Sequence, residues 1–365
     1  MEIKKVGVIG GGAMGAGIAH VAALAGLSVV IKEIDQGLAD KGVKTARDAF
    51  DRRVAKGTME AADAEAGKAR LSGTADYASL SDVDLVIEAV IEKLDLKKTV
   101  FAELDRVTPP HAILASNTSA LPITELGRAT GRAALVGGLH FFNPAQTMKL
   151  VEVIRGADTS DATTRALLEF CKTISKRPVL INRDTAGFLV NRLLLRYFDE
   201  AAMALQENGA AAARTIDELM VAGGFPMGPF TLGDMVGNEV IKYVIDTLHA
   251  AFPDRFPVPT LLVRMAEEGR WGQKKGAGFY TYAEGSDPDW LDRTIEEIRK
   301  AEGLQPSKLS FERFIRAMID EAERMIAEGL VAREDVDIAM QLGTGMKLGP
   351  LAIADSLAAG AGAGS

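Results

Sequence analysis

Residues 4–33 read KKVGVIGGGAMGAGIAHVAALAGLSVVIKE. An apolar run of strand type, 4–10, meets a glycine turn, and 11–26 continues with helical periodicity as far as Gly26. A second strand, 27–33, follows. Strand, glycine turn, helix and strand within about 30 residues make the dinucleotide-binding βαβ unit. The glycines stand as Gly10-x-Gly12-x-x-Gly15 at the strand-to-helix junction. In this pattern Gly10 permits the tight turn, Gly12 lets a pyrophosphate approach the backbone, and Gly15 lets helix and strand pack closely. The helix N-terminus, beginning with Ala13 and Met14, offers free N–H groups and partial positive charge to phosphates.

The glycine spacing alone is weak, but its flanks are the right ones. Glu33 stands at the end of the second strand, eighteen residues after Gly15. A carboxylate there hydrogen-bonds ribose hydroxyls and repels a 2′-phosphate, which points to NAD rather than NADP. Asp35 competes for that role but lies past the strand, where the next helix starts.

Residues 36–70 are charged and helical, and 82–90 resume the sheet. Helix 93–107, a strand with a polar exit loop over 112–123, and strands in 132–144 and 149–156 complete an α/β domain. Ligands in doubly wound sheets bind beyond the carboxyl ends of the strands. Three polar clusters fall at such ends, Glu88 to Glu92, Ser116 to Ser119 and His140 to Asn143, and they are expected to converge on one crevice.

The last cluster lies in GLHFFNP, 138–144. Of the four histidines, His20 and His249 sit in helical runs and His111 in a Pro-Pro turn, which leaves His140 at a strand end. His140 reads either as a core histidine or as a base taking a hydroxyl proton, a task that suits histidine as a residue type. Such a base works best when a carboxylate holds its other nitrogen. Glu152, twelve residues on and on the neighbouring strand, is within reach of that role, with a merely solvated strand residue as the alternative.

The 365 residues carry a net charge of −8, which argues against general nucleic-acid binding. The single cysteine, Cys171, excludes an internal disulfide and a cysteine metal cluster, and no metal is expected. No stretch approaches about 18 uninterrupted apolar residues, so no membrane span is expected. The first strand begins almost at Met1, leaving no room for a leader peptide. The expectation is a soluble cytoplasmic protein.

Seven ordered motifs, GGGAMGAGIA, DLVIEAVIEKLDLKK, ASNTSALPIT, GLHFFNPAQTMKLVEVI, DTAGFLVNRLL, GFPMGPFTLGDMVG and GQKKGAGFYTY, resemble the L-3-hydroxyacyl-CoA dehydrogenases over 4–282. Strand two, ending IKEID, is closer to multifunctional β-oxidation proteins, with Glu33 replacing the Asp usual there. The resemblance implies His140 as catalytic base, Glu152 as its partner, and Ser119 and Asn191 as substrate contacts. It implies Val90, Ile91, Glu92, Lys97 and Asn143 on the nicotinamide side, and Lys274, or its neighbour Lys275, as a cofactor contact. It further implies reversible oxidation of an (S)-3-hydroxyacyl-CoA by NAD, with other β-oxidation enzymes as partners. As alternatives, Ser119 reads as a helix N-cap, and the chain as a dehydrogenase of a smaller 3-hydroxy acid or a non-catalytic, crystallin-like NAD binder. Asn191 is placed inside one long helix beginning near Ala186.

The second half is helical and repeats itself: DEA at 199–201 recurs at 320–322, and Gly228-Pro229-xxxx-Asp234 recurs as Gly349-Pro350-xxxx-Asp355, an offset of 121. The domains expected are a Rossmann-type NAD-binding domain, 1–184, a helical C-terminal domain, 185–283, and a partial second helical repeat, 284–365. The tail SLAAGAGAGS reads as linker. A second copy of the helical domain stands in physically for a partner subunit, giving a homodimer or a pseudo-dimeric monomer.

Overall fold

A computed structural model describes residues 2–362. The chain divides into two units, Met1–Phe188 and Leu189–Ser365.

The first unit is built on an eight-stranded sheet. Its strands are β1 (Lys5–Ile9), β2 (Ser28–Lys32), β3 (Leu71–Thr74), β4 (Leu85–Glu88), β5 (Ile113–Ser116), β6 (Val136–Phe141), β7 (Leu150–Ile154) and β8 (Arg177–Ile181). Their order is β3-β2-β1-β4-β5-β6-β7-β8, parallel throughout except for the antiparallel pair β6–β7. Strands such as LVIE and VGGLHF are buried at every position, as expected where helices cover both faces of a parallel sheet. The helices are α1 (Ala13–Leu24), α2 (Gln36–Ala55), α3 (Ala61–Ala69), α4 (Leu94–Val107), α5 (Ile123–Arg128) and α6 (Asp161–Thr173). The sequence reading missed β3: its four residues, LSGT, include a glycine and show no apolar alternation, yet they pair in register with β2. Cys171 is buried in α6 as a small apolar residue.

The second unit contains α7 (Val190–Asn208), α8 (Ala212–Ala222), α9 (Pro229–Val236), α10 (Asn238–Ala251), α11 (Thr260–Glu267), α12 (Trp290–Glu302), α13 (Phe311–Ala327), α14 (Arg333–Thr344) and α15 (Pro350–Gly362). Two expectations are corrected. Helix α7 starts at Val190, because Gly187 (φ 70°) and Phe188 (φ 49°) are left-handed and cannot extend a right-handed helix upstream. Asn191 is therefore in the first turn of α7, not its interior. The tail read as linker from Ser356 is helical through Gly362, carried by α15, whose Leu351 and Ile353 are buried; residues 363–365 lie outside the described ones.

The repeat is written into the bonding of this unit. The Asp217 carboxylate accepts the N–H groups of Phe230 and Thr231 in the first turn of α9, at 2.9 and 3.0 Å. The Asp337 carboxylate accepts those of Leu351 and Ala352 in α15, at 2.8 and 3.0 Å. An acidic group at a helix N-terminus complements its partial positive charge. Gly228 and Gly349 are required for the approach, since a Cβ would stand 2.2 Å from the Asp217 Cα and 2.4 Å from the Asp337 Cα. Between α7 and α13 the ion pairs are reciprocal. Arg192 Nε meets Glu321 at 2.6 Å and Arg313 Nε meets Glu200 at 2.7 Å, each pair being the other displaced by 121 residues. The outer contacts obey the same displacement: Arg192 to Glu328, 3.7 Å, and Arg313 to Glu207, 3.0 Å. This is the pattern of a two-fold isologous interface, here closed within one chain.

Candidate active site

The glycine turn gives each of its glycines a separate reason. Gly10 has φ +97° and donates its N–H to the Lys32 carbonyl at 2.9 Å, tying β1 to the end of β2. A Cβ on Gly15 would stand 1.8 Å from the Gly10 carbonyl oxygen. Gly12 caps α1, and a Cβ there would meet nothing within 4 Å. The first glycine shapes the turn, the third seats the helix, and the second leaves an open backbone face beside Ala13 and Met14. That arrangement fits the pyrophosphate of a dinucleotide. Glu33 Oε1 accepts the Gly11 N–H at 2.7 Å and Oε2 accepts the Ile34 N–H at 3.0 Å, so its carboxylate stands between the turn and the end of β2. Asp35 caps α2 through Leu38 N. Ile34, 82% exposed, is an apolar side chain beside Glu33 that sequence reasoning passed over; no periodicity marks a lone exposed isoleucine.

At the ends of β4 and β5 the polar residues interlock. Glu88, fully buried, accepts from Lys97 Nζ at 2.6 Å, from Val90 N at 2.7 Å and from Ser116 Oγ at 2.6 Å. Glu92 accepts from Thr118 Oγ1 at 2.5 Å and Ser119 N at 2.9 Å, and stands 3.2 Å from Lys97 Nζ. Lys97 is 1% exposed. Its charge is spent on two carboxylates, so it braces the β4 and β5 exits and presents no open cation. Val90 is half-buried and Ile91 exposed on the same turn. Asn117 Oδ1 accepts Phe141 N at 2.9 Å, stitching the β5 exit to the end of β6. Ser119 is not a helix N-cap: α5 begins four residues later behind Pro122.

His140 and Glu152 face each other directly across the antiparallel β6–β7 pair. Opposed residues project from one face of a sheet, and His140 Nδ1 lies 2.6 Å from Glu152 Oε2. The histidine is 5% exposed and the glutamate 0%. The carboxylate accepts the Nδ1 proton, which leaves Nε2 as the basic nitrogen. The Phe142 and Phe188 rings lie 4.7 and 5.8 Å from the imidazole, and Phe141 is buried. Phe188 had no signal in the sequence. Asn143 is exposed at the start of the loop joining β6 to β7, before a cis Asn143–Pro144 peptide.

The remaining histidines are structural or exposed. Burial lowers His20 to about 4, and its Nδ1 is 3.2 Å from the Ala46 carbonyl. His249 Nδ1 is 2.7 Å from the Phe256 carbonyl, and His111 is exposed beside Asp84. The first unit thus brings together Glu33, Val90, Ile91, Glu92, Lys97, Ser119, His140, Asn143 and Glu152 along the carboxyl edge of its sheet. Asn191, half-buried, and Lys274, exposed in a 3-10 turn with Lys275, belong to the second unit.

Residues 5–185 match the family model described as 3-hydroxyacyl-CoA dehydrogenase, NAD binding domain, and residues 187–282 and 311–364 match the C-terminal domain of the same family. The chain is 44% identical to the mitochondrial hydroxyacyl-coenzyme A dehydrogenase of Rattus norvegicus over 290 residues, 77% of this chain and 91% of that protein. It is 37% identical to a glyoxysomal fatty acid beta-oxidation multifunctional protein of Brassica napus over 357 residues, 94% of this chain. The chain spans about half the length, 49%, of that plant relative. Among solved structures, 3-hydroxybutyryl-CoA dehydrogenase of Escherichia coli superposes with a TM-score of 0.88 at 29% identity, covering 98% of this chain and 92% of that one.

Proposed function

Because the chain belongs to the 3-hydroxyacyl-CoA dehydrogenase family, a family of NAD-dependent oxidoreductases, we propose that it interconverts (S)-3-hydroxyacyl-CoA and 3-ketoacyl-CoA in fatty-acid β-oxidation or a related acyl-CoA pathway. The observation that carries this reading is the buried His140–Glu152 pair at the carboxyl edge of a sheet whose first turn is an open glycine cradle. NAD, when bound, supplies the hydride acceptor. Gly10, Gly12, Ala13, Met14 and Gly15 hold its pyrophosphate, Glu33 its ribose, and Val90, Ile91, Glu92 and Asn143 border its nicotinamide end. Lys97 contributes by fixing Glu92, and Lys274 offers a further cation to the cofactor.

His140 Nε2 takes the proton of the 3-hydroxyl during oxidation and returns it during reduction. Glu152 keeps Nδ1 protonated and stabilises the imidazolium that results, a general-base contribution of about 10² to 10⁴ in rate. Ser119 and Asn191 hydrogen-bond the substrate oxygens; one well-aligned donor to a developing oxyanion is worth about 2.7–4 kcal/mol. The reciprocal arginine pairs support a pseudo-dimeric monomer, to be read as the mass of a single chain by light scattering. No helix among the described residues is long and apolar enough to cross a membrane. The reading puts the protein in the cytoplasm, where buried Cys171 stays reduced.

The test is NADH oxidation by acetoacetyl-CoA, for the wild type beside His140→Gln. The expected result is turnover that falls by about 10² to 10⁴ in the variant while NADH binding persists. A wild type that binds NADH but reduces neither acetoacetyl-CoA nor a longer 3-ketoacyl-CoA refutes the acyl-CoA assignment.

A further inference from the structure

The loop between β6 and β7 is the span that both separates His140 from Glu152 and carries Asn143. It folds back on itself, the N–H groups of Thr147 and Met148 both donating to the Pro144 carbonyl at 3.0 Å. On one side it abuts α1: a Cβ on Gly17 would lie 2.9 Å from Gln146 Oε1 and 3.1 Å from the Ala145 Cβ. On another it meets a side chain from a distant part of the sequence. Lys176 Nζ donates to the carbonyls of Ala145 at 2.5 Å and Met148 at 2.6 Å.

Lys176 is itself rigidly placed. It follows Ser175, whose φ of 59° ends the α6 turn, and its own N–H donates to the Cys171 carbonyl at 2.8 Å. The next residue opens β8 and donates its N–H to the Lys149 carbonyl at the far end of the same loop, 2.8 Å. Lys176 as a whole is 8% exposed. Burying an ammonium is costly unless its donors are satisfied, and its two acceptors here are neutral carbonyls of one loop. The titratable groups around it are Cys171 on α6 and His20 on α1, with Arg52 and Arg53 on α2 facing His20 in turn. Burial pushes the Cys171 thiol up and His20 down to about 4, so both are neutral near pH 7.

We propose that Lys176 is a positioning residue for the cofactor end of the site, its ammonium clamping the β6–β7 loop that presents Asn143. The inference rests on the NAD-binding reading of the first unit and goes beyond it by assigning a side chain that touches neither cofactor nor substrate. The clamp is strongest while the amine is charged, since a neutral amine donates weaker hydrogen bonds to the same carbonyls. Burial lowers this lysine to about 8, so the clamp is intact below that pH and weakens as pH rises through it.

The experiment is NADH binding by fluorescence titration, from neutral to alkaline pH, for the wild type, Lys176→Met and Lys176→Arg, with kcat at saturating NADH measured alongside. The wild type is expected to lose NADH affinity as pH rises past about 8. Lys176→Met weakens binding by about tenfold at neutral pH with kcat close to wild type, since two charge-assisted hydrogen bonds are removed from a loop at the cofactor end. Lys176→Arg flattens the alkaline loss, because a guanidinium keeps its charge. Wild-type NADH affinity in the methionine variant overturns the proposal, as does an unaltered alkaline loss in the arginine variant. If the methionine variant does not fold, the arginine profile alone decides. A wild type that binds no NADH overturns the NAD reading and the clamp together, whereas binding without turnover of acyl-CoA leaves the clamp comparison intact.

Discussion

Gly12 and Gly15 belong to one motif, three residues apart, yet the structure separates what a methyl group does at each. At Gly15 the added carbon would stand 1.8 Å from the Gly10 carbonyl oxygen, far inside van der Waals contact. Neither neighbour yields easily. Gly10 is held to Lys32 across the sheet, and α1 is buried from Gly15 through Ala23. Forcing extra volume into such packing costs about 1–3 kcal/mol, which for a domain of this size lowers the melting temperature by about 2–12 °C. At Gly12 nothing lies within 4 Å, and the backbone is at φ −64°, ψ −173°, extended geometry that alanine adopts freely. Gly12→Ala is therefore expected to melt with the wild type in the absence of cofactor, yet to bind NADH at least about tenfold more weakly, because the pyrophosphate must approach that backbone. Melting by circular dichroism without ligand, with NADH titration on the same samples, makes the comparison. A Gly12→Ala protein that melts as low as Gly15→Ala, or that binds NADH as the wild type does, refutes the division of labour.

Glu152→Gln replaces the carboxylate that holds the His140 tautomer by a neutral amide, whose NH2 group favours the wrong tautomer by donating to Nδ1; kcat is expected to fall by about 10² to 10⁴ with NADH affinity unchanged, measured by steady-state kinetics and titration. Arg192→Ala removes the shortest contact of Glu321, 1% exposed, leaving it with Arg255 at 3.6 Å and Arg324 at 3.8 Å, and is expected to cost about 1–3 kcal/mol in urea unfolding. Its repeat counterpart, Arg313→Ala, uncovers a Glu200 side chain that is 24% exposed and costs about 1 kcal/mol or less; equal losses contradict this account. Burial raises the Asp199 carboxyl well above its usual range, and neither oxygen has a hydrogen-bond partner among the described residues. A carboxyl whose folded pKa is raised stabilises the fold fully below its unfolded pKa, about 3.9, and that stability is lost as pH rises toward the folded value. Asp199→Asn is thus expected to gain stability over the wild type at neutral pH and to lose that advantage in acid, read from melting curves at both pH values.

The glycine turn was legible because Gly10 and Gly15 meet local demands, a positive φ and a close approach, while Gly12 between them keeps the backbone open, and their spacing encodes all three. His140 was legible as a histidine at a strand end and Glu152 as a carboxylate on the neighbouring strand. Their register is a tertiary fact: whether residue 152 or a neighbour faces residue 140 depends on the length and path of the loop between them. The Lys97 network was half legible, since both carboxylates were placed correctly while the burial that ties the lysine to them was not. Phe188 adopts a left-handed conformation that phenylalanine rarely takes, so the delayed start of α7 left no compositional trace. Strand β3 exists because β2 offers it an edge, and α15 because apolar residues ahead of a glycine-rich tail find a surface within the second unit. Such elements are decided by partners far away in the chain.

The reciprocal arginine–glutamate pairs between α7 and α13 carry a consequence for dilution. Two separate subunits joined by a two-fold face come apart when their concentration falls below the dissociation constant, and their stability depends on how much protein is present. Here both halves of the face are tethered, so the second is always delivered at a fixed effective concentration. Tethering also releases the two halves from identity. In a homodimer every substitution on the axis is made twice, whereas Arg192 and Arg313 stand in different surroundings, one sealed from solvent and one about a quarter open. Each half is free to specialise without its copy having to follow.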